Sequence, residues 1–163
     1  MSRALKNLTG AVVTLDTATL AEGLRASRES ERKRMILPVQ RTQEAEVQRL
    51  VNFLQPGTYI RPHCHPEPHA SESVCLIQGK LEVLIFSAEG EILERHLLEE
   101  KGTRLIDLEP GIWHGMLVHA EDTVIFETKR GPYDAATDKK FAPWTPEEET
   151  RGVDEFLSQL LSS

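Results

Sequence analysis

The segment RPHCHPEPHASESVCLIQG, residues 61–79, is rich in side chains that bind metal ions. It holds three of the six histidines of the chain, and His63 and His65 stand two positions apart. Residues at this spacing in a β-strand point to the same face, so both imidazoles would be directed at one point. A divalent cation accepts imidazole nitrogen at about 2.0–2.1 Å. The spacing therefore favours a metal site on this strand.

The residues just before the histidines add groups that could act on a substrate. In a regular strand, Tyr59 and Arg61 share the face of His63, whereas Ile60 and Cys64 face the other way. Arg61 would bind a carboxylate or phosphate with its bidentate fork, and Tyr59 would orient a group or carry a proton. We predict both as catalytic residues; a buried polar pair that closes a barrel is the alternative for each. We expect Cys64 to be structural.

Size and charge limit the class of protein. The chain has 163 residues, the size of one domain, and a formal net charge of -7 at pH 7. The acidic balance argues against a nucleic-acid partner, and no apolar run reaches the roughly 18 residues of a membrane span. The first residues, MSRALKNLTG, lack the apolar region of a secretory signal. We therefore expect a cytoplasmic protein with a small-molecule substrate and neither nucleic acid nor membrane as partner.

The histidine segment lies inside a run of predicted strands. In 46–130, short stretches rich in Val, Ile, Leu and Phe are broken by Gly or Pro, which is typical of an antiparallel sandwich or barrel. The stretch DTATLAEGLRASRESERKRM is helical in pattern, with Asp16 and Thr17 as candidate caps. We assign 46–130 to a β-barrel with the metal site and 1–45 to a helical N-terminal extension, within one compact domain.

Residues 131–163 are predicted to form a capping loop and a C-terminal helix. The segment GPYDAATDKKFAPW shows no periodicity, and it could fold over the barrel opening and bring Tyr133, Asp134 and Lys139 near a bound ligand. In TPEEE, Thr145 is a candidate helix cap. The helix carries an apolar stripe that we expect in the core or in an interface: Phe156, Leu157, Leu160 and Leu161.

The spacing around the histidines matches a known signature. The pattern is Gly57-x5-His63-x-His65, then Glu72-x6-Gly79, then Pro110-Gly111-x2-His114. This is the two-motif signature of the cupin superfamily, and the chain resembles a cupin over most of its middle. The resemblance implies a mainly β protein, a double-stranded β-helix or jelly-roll barrel with helical N- and C-terminal extensions. It also implies one metal ion in the barrel on four ligands: His63, His65, Glu72 and His114.

Longer segments narrow the resemblance. VQRLVNFLQPGTYIRPHCHPE, EPGIWHGMLV and KRGPYDAATDKKFAPWTPEE are similar to the WbuC family of cupin-fold metalloproteins, over roughly residues 40–150. Members of that family are associated with O-antigen and polysaccharide gene clusters. The tail that begins with GPYD is far more specific than the cupin motifs.

Two departures from the family pattern bear on the site. Six residues separate His65 from Glu72, where cupins usually have three or four, so His69 stands at the spacing expected for the acidic ligand. We choose Glu72 because it keeps the x6-Gly spacing into the next hairpin, and His69 stays open as the alternative ligand. Gln40 stands where we expect a histidine in relatives; if that histidine lines their pocket, this chain has a changed pocket that could accept a changed substrate.

Three histidines and one glutamate leave one or two positions on a metal open, as in catalytic sites. These donors suit Fe, Mn, Ni or Zn, and the sequence does not choose among them. We expect a metal-dependent enzyme that isomerises or epimerises a small polar metabolite related to sugars or sugar nucleotides, with an anionic group if Arg61 binds it. The alternatives are a non-haem iron dioxygenase and a non-catalytic sugar-binding or regulatory module. The apolar C-terminal stripe favours a homodimer.

Overall fold

The structure, a computed structural model, describes residues 3–163. The elements in chain order are α1 (Thr17–Glu29), β1 (Arg34–Pro38), β2 (Val47–Leu54), β3 (His63–Cys64), β4 (Glu72–Gln78), β5 (Lys80–Phe86), β6 (Ile92–Glu99), β7 (Leu105–Leu108), β8 (Trp113–Val118), β9 (Thr123–Arg130), β10 (Lys140–Phe141) and α2 (Gly152–Ser162). In the described part of the chain, no helix is long and apolar enough to cross a membrane.

The strands form two antiparallel five-stranded sheets that pack face to face. The first sheet has the order β1-β2-β9-β4-β7, and the second has the order β10-β3-β8-β5-β6. Both sheets contribute apolar side chains to one buried core, so the predicted mainly β class with a helix near each end is confirmed. The members of this core are Leu54, Val74, Leu76, Leu81, Val83, Leu98, Met116, Val118 and Ile125.

Helix α1 begins where the sequence predicts and covers the outer face of the first sheet. Asp16 is the N-cap, and its carboxylate accepts a hydrogen bond of 2.8 Å from the backbone nitrogen of Thr19. Gly23 lies against the ring of Phe53, and a Cβ at residue 23 would stand 2.2 Å from a ring carbon. The glycine therefore permits the close approach of the helix to the sheet.

Strand β1 lies within the range 1–45 that the sequence assigns to a helical extension. Met35 and Leu37 are buried beneath α1, whereas Arg34 and Ile36 line a cavity inside the barrel. This alternation is that of a strand. The strand is only five residues long and begins on the last residue of the charged run ERKR. So short a stretch does not show whether its residues alternate as in a strand or continue a helix. Pairing with β2 makes it a strand.

The segment TPEEE does not begin the C-terminal helix. The hydroxyl of Thr145 donates a hydrogen bond of 2.8 Å to the carbonyl oxygen of Ala142, and α2 begins at Gly152. Glu148 pairs with the guanidinium of Arg34 at 2.7 Å. This buried arginine needs a partner, so the acidic segment binds the first strand and the helix begins after it.

The apolar stripe of α2 divides between core and surface. Leu157 and Leu160 are buried against the second sheet, and the ring of Phe156 lies edge-on to Tyr59 at 6.0 Å. Leu161 is 61% exposed. The homodimer stays a prediction.

Candidate metal centre

Four of the predicted site residues meet at one buried point. His63 on β3 pairs directly with His114 on β8, and His65 follows β3. Glu72 begins β4 in the opposite sheet. Each of the four is at most 4% exposed, and one ligand atom from each lies within 4.8 Å of the others. These residues form the His–Glu cluster.

The backbone fixes the orientation of the three imidazoles in the cluster. The Nδ1 atoms of His63 and His114 each lie 2.9 Å from the carbonyl oxygen of the residue two positions earlier. The Nδ1 of His65 faces the carbonyl oxygen of Asp138. Because a carbonyl oxygen only accepts, each Nδ1 carries the proton and donates. Each Nε2 is then left with its lone pair, which is the form of imidazole that binds a metal.

The cluster consists of acceptors that lack a donor. The Glu72 Oε2 atom lies 3.1 Å from His65 Nε2 and 3.0 Å from His114 Nε2. With the ring protons on Nδ1, neither Nε2 has a proton to share with this oxygen. In residues 3–163, His63 Nε2 and His114 Nε2 are two of the three buried side-chain polar atoms without a hydrogen-bond partner. A cation would stabilise lone pairs that converge in this way, so the donor set fits a divalent metal ion.

The charge states of Glu72 and His63 also suit a cation. Burial alone would raise the pKa of Glu72, but positive charge at the Nε2 atoms of His114 and His65, where a cation would sit, together with the charge of Lys139, holds it well below its ordinary value. Burial lowers the pKa of His63 well below its ordinary value, and the charge of Lys139 adds to this effect. Glu72 is therefore ionised and His63 neutral, the states in which both side chains bind metals.

A second buried carboxyl group, Glu127, lies beside the cluster. It stands on β9 opposite Val74 of β4, and Val74 is two positions from Glu72. Its Oε2 atom accepts a hydrogen bond of 3.0 Å from the Nδ2 of Asn52. Burial, together with the negative charge of Glu72, raises the pKa of Glu127 to about 8. Glu127 therefore holds a proton at neutral pH.

A cavity of about 410 Å³ adjoins the cluster; we call it the lumen cavity. Its walls come from the inner faces of β1, β2 and β9 and from the loop 131–139. Tyr133 and Lys139 of this loop line it, whereas Asp134 lines a smaller cavity of about 260 Å³ next to His65. Other polar side chains that line the lumen cavity include Gln40, Gln48, Asn52, Glu127 and Lys129.

Tyr59 and Arg61, predicted as catalytic residues, make their contacts with the C-terminal segment. The hydroxyl of Tyr59 donates a hydrogen bond of 2.8 Å to the carbonyl oxygen of Pro146. The Nε of Arg61 donates to the hydroxyl of Thr145 at 3.1 Å, and its guanidinium lies 5.2 Å from the ring centre of Phe141. Neither Tyr59 nor Arg61 lines the lumen cavity. Their catalytic roles stay predictions.

The backbone explains why these two side chains do not follow the histidines. Strand β3 begins only at His63, and 57–62 contains no strand. Without a sheet ladder, the alternation does not extend back along the chain. Ile60, expected on the opposite face from His63, lines the lumen cavity with it.

The two departures from the family pattern have distinct structural outcomes. His69 is exposed, with φ at +65°, and it lies outside the cluster, so the extra residues bulge away and Glu72 reaches the centre. Gln40 is 1% exposed and lines the lumen cavity. Its Nε2 donates to the Oε1 of Gln48 at 2.8 Å, and its Oε1 accepts from the backbone nitrogen of Arg49 at 2.8 Å. Gln40 thus holds part of the cavity wall in place.

The sequence predictions do not include several polar residues of the lumen cavity, among them Asn52, Glu127 and Lys129. The segment DTVIFETK does carry a signal, since Ile125, Glu127 and Lys129 alternate with other residues and share one face of β9. A polar residue on the inner face of a barrel strand marks a candidate site. Which face is inner depends on how the sheets pack, so the sequence pattern alone left this choice open.

Two comparisons with known sequences bear on the chain. A family described as "Domain of unknown function (DUF6016)" matches residues 15–98, which include His63, His65 and Glu72 but not His114. No curated protein matches the chain significantly.

Solved structures share the fold. CapF from Staphylococcus aureus, a capsular polysaccharide assembling protein, is 17% identical with a TM-score of 0.54, over 65% of this chain and 31% of CapF. SO0799 from Shewanella oneidensis is 14% identical with a TM-score of 0.53, over 65% and 72% of the two chains. SPY1581 from Streptococcus pyogenes, a protein of unknown function, is 20% identical with a TM-score of 0.51, over 82% and 98%.

These likenesses show the fold, which is that of the cupins, as the sequence signature predicts. The match spans less than a third of the length of CapF. The buried cluster together with this fold makes the centre a candidate metal site, with the identity of the metal open.

Proposed function

This chain belongs to the DUF6016 family, and we propose from its site that it is a metal-dependent cupin enzyme that acts on a small polar metabolite. The observation that carries the proposal is the His–Glu cluster, whose buried lone pairs converge on one point and have no donor to share. The cluster adjoins a cavity of about 410 Å³, a volume in the usual range of small-ligand sites.

The residues that would hold the metal are those of the cluster. His63, His65 and His114 would each offer Nε2, and Glu72 would offer its carboxylate. When bound, a divalent ion supplies Lewis-acid polarisation of a substrate oxygen. The carbonyl groups that accept from each Nδ1 keep the rings oriented toward the centre.

Glu127 is the group that would hold or move a proton. Its carboxyl group lies in the lumen cavity beside Glu72, and Asn52 fixes its Oε2 atom. A group whose pKa lies near the working pH both takes and gives a proton efficiently. This favours isomerisation or epimerisation by proton transfer over a dioxygenase and over binding without turnover.

We take the substrate to be related to sugars or sugar nucleotides. The support is the resemblance of three segments to the WbuC family and a fold shared with CapF, a capsular polysaccharide assembling protein. Hydroxyl-rich molecules suit a wall of amide, carboxyl and ammonium groups. A place in polysaccharide biosynthesis follows from this assignment and is part of the proposal.

The first experiment measures metal by elemental mass spectrometry on protein without a histidine tag. We expect nearly one Fe, Mn, Ni or Zn per chain, and a loss of at least tenfold in His63→Ala and in Glu72→Ala. Histidines outside the cluster supply matched controls: His69 is exposed and His96 is partly exposed, and His69→Ala and His96→Ala should keep the metal. If Glu72→Ala kept its metal while His69→Ala lost it, the ligand set would be wrong.

The second experiment looks for proton transfer. Metal-loaded protein is incubated with a panel of nucleotide sugars in D₂O, and proton NMR follows the exchange of carbon-bound hydrogen. We expect exchange with at least one sugar and its loss in Glu127→Gln, because an amide cannot take up the proton. Metal without exchange or conversion of any sugar would favour the binding-module alternative.

A further inference from the structure

We propose that Lys139 binds an anionic group, a carboxylate or a phosphate, of the molecule that occupies the lumen cavity. The inference rests on the proposed function, because it concerns the substrate of the same centre. It assigns charge recognition to the loop 131–139, whereas the sequence pattern predicts Arg61 for this role.

Contacts on both sides fix the backbone of Lys139. The carbonyl oxygen of Asp138 accepts from the Nδ1 of His65, and the carboxylate of Asp138 pairs with Lys129. On the other side, Lys140 pairs with Cys64 in the short ladder between β10 and β3. Lys139 therefore stands at a defined position between the loop and the metal centre.

Lys139 lines the lumen cavity, and its neighbour Lys140 does not. Lys139 precedes β10 and Phe141 lies in it, and both line the lumen cavity. The ammonium group of Lys140 lies 5.7 Å from the ring centre of Trp113, outside the cavity lining. Two consecutive lysines thus have different surroundings, which provides a matched control.

The charge of Lys139 is available to a ligand. Within residues 3–163, Lys139 makes no hydrogen bond and no ion pair, whereas Lys129 pairs with Asp138 and Arg34 with Glu148. Those two cations of the cavity wall are therefore already neutralised by carboxylates. An ammonium group with three free donors beside a cavity is suited to a carboxylate or phosphate.

The position of Lys139 also limits the ligand. It lines the same cavity as His63, Glu72 and Glu127, so it borders the metal centre as well as the cavity. A molecule could then place its anionic group on Lys139 and an oxygen on the metal. A cavity of about 410 Å³ holds one sugar-sized molecule, so the expected ligand is a small sugar acid or sugar phosphate.

A different role for Lys139 would be to compensate the charges of Glu72 and Glu127. In that case its loss would weaken metal binding and would affect neutral and anionic ligands alike. Anion recognition predicts the opposite result: unchanged metal content and an effect confined to anionic ligands.

The test is calorimetric titration of metal-loaded protein with glucuronate, glucose 6-phosphate and glucose, which share one ring. We expect one of the anions to bind and to bind more tightly than glucose. In Lys139→Met, the affinity for that anion should fall about ten- to a hundredfold, the usual worth of a charged hydrogen bond. The affinity for glucose should not change, and Lys140→Met should behave like the parent.

Three results would overturn the assignment: no binding of either anion to the parent, an equal loss for glucose in Lys139→Met, or a loss of metal in Lys139→Met. Which anion binds decides between carboxylate and phosphate. The parallel measurement of metal content keeps the two proposals apart. A parent without metal that still binds an anion through Lys139 would contradict the proposed function and leave the role of Lys139 standing.

Discussion

The two ends of the barrel interior are built from the same strands but have opposite chemistry. At one end, the inner faces of β2, β4 and β9 carry Gln48, Asn52, Glu72, Glu127 and Lys129. At the other end, the same faces carry Leu54, Val74, Leu76 and Ile125. Antiparallel pairing aligns these sets, since Glu72 stands opposite Lys129 and Leu76 opposite Ile125.

The apolar end stabilises the fold, whereas the polar end carries the candidate metal site. Burial of apolar side chains stabilises the fold by about 1.5–3 kcal/mol for each large residue, so the apolar end provides the driving force. Buried polar and charged groups cost free energy unless they are paired, and the polar end leaves two imidazole nitrogens without a partner. Loss of an apolar side chain should therefore leave metal binding intact, whereas changes at the polar end should alter stability through the cost of burying its groups.

The largest effect is expected from Glu127 in protein stripped of metal. In the unfolded chain this carboxyl group ionises near pH 4.5, whereas in the folded state it keeps its proton up to about pH 8. Between these values the folded state binds more protons, so stability falls as the pH rises. We expect the parent to lose on the order of 10 °C more in Tm than Glu127→Gln between pH 5 and pH 8.

Thermal unfolding followed by circular dichroism across this pH range is the measurement. The exposed Glu94→Gln variant is the control, and its pH profile should match that of the parent. Parallel profiles for the parent and Glu127→Gln would show that the burial of Glu127 does not make the stability of the fold depend on pH.

Leu76→Ala should destabilise the apolar end without affecting the metal centre. Leu76 is 1% exposed in the core, and its truncation should lower the free energy of unfolding by about 3 kcal/mol. Metal content per folded chain should not change, because the cluster lies at the other end. Urea denaturation with elemental analysis checks both quantities, and Leu93→Ala, at a residue that is 60% exposed, is the matched control. A loss of metal in Leu76→Ala would show that the two ends are coupled.

The smallest effect is expected at the wall of the lumen cavity. Gln40→Ala removes hydrogen bonds to Gln48 and to the backbone of Arg49, and should cost about 1–2 kcal/mol. Metal content should stay the same, since Gln40 does not belong to the cluster. Gln43→Ala, at an exposed position, should have no measurable effect on urea denaturation. If metal were lost in Gln40→Ala, this wall would help to shape the metal centre.

The mainly β class and the four residues of the cluster could be predicted from the sequence. Their spacing depends on short-range geometry: His63 and His65 are two apart beside a short strand, and Glu72 begins β4, which ends just before Gly79. The hairpin expected at Gly79 does not form, because β4 and β5 lie in different sheets. The cap of α1 by Asp16 is equally local, because one side chain satisfies a backbone donor three residues away. The start of α2 is the counterexample, since a locally good cap at Thr145 gave way to a distant ion pair of Glu148 with Arg34.

Only the tertiary structure decided what surrounds the cluster. Glu127 and Asn52 meet because β2 and β9 pair across 75 positions of chain, and Lys139 joins them because loop 131–139 is tied to His65. Tyr59 and Arg61 contact the C-terminal segment because β3, which pairs with β8, begins only after them. A single sequence fixes the spacing of neighbours along a strand, but pairing between distant strands is settled by the free energy of the whole packed barrel.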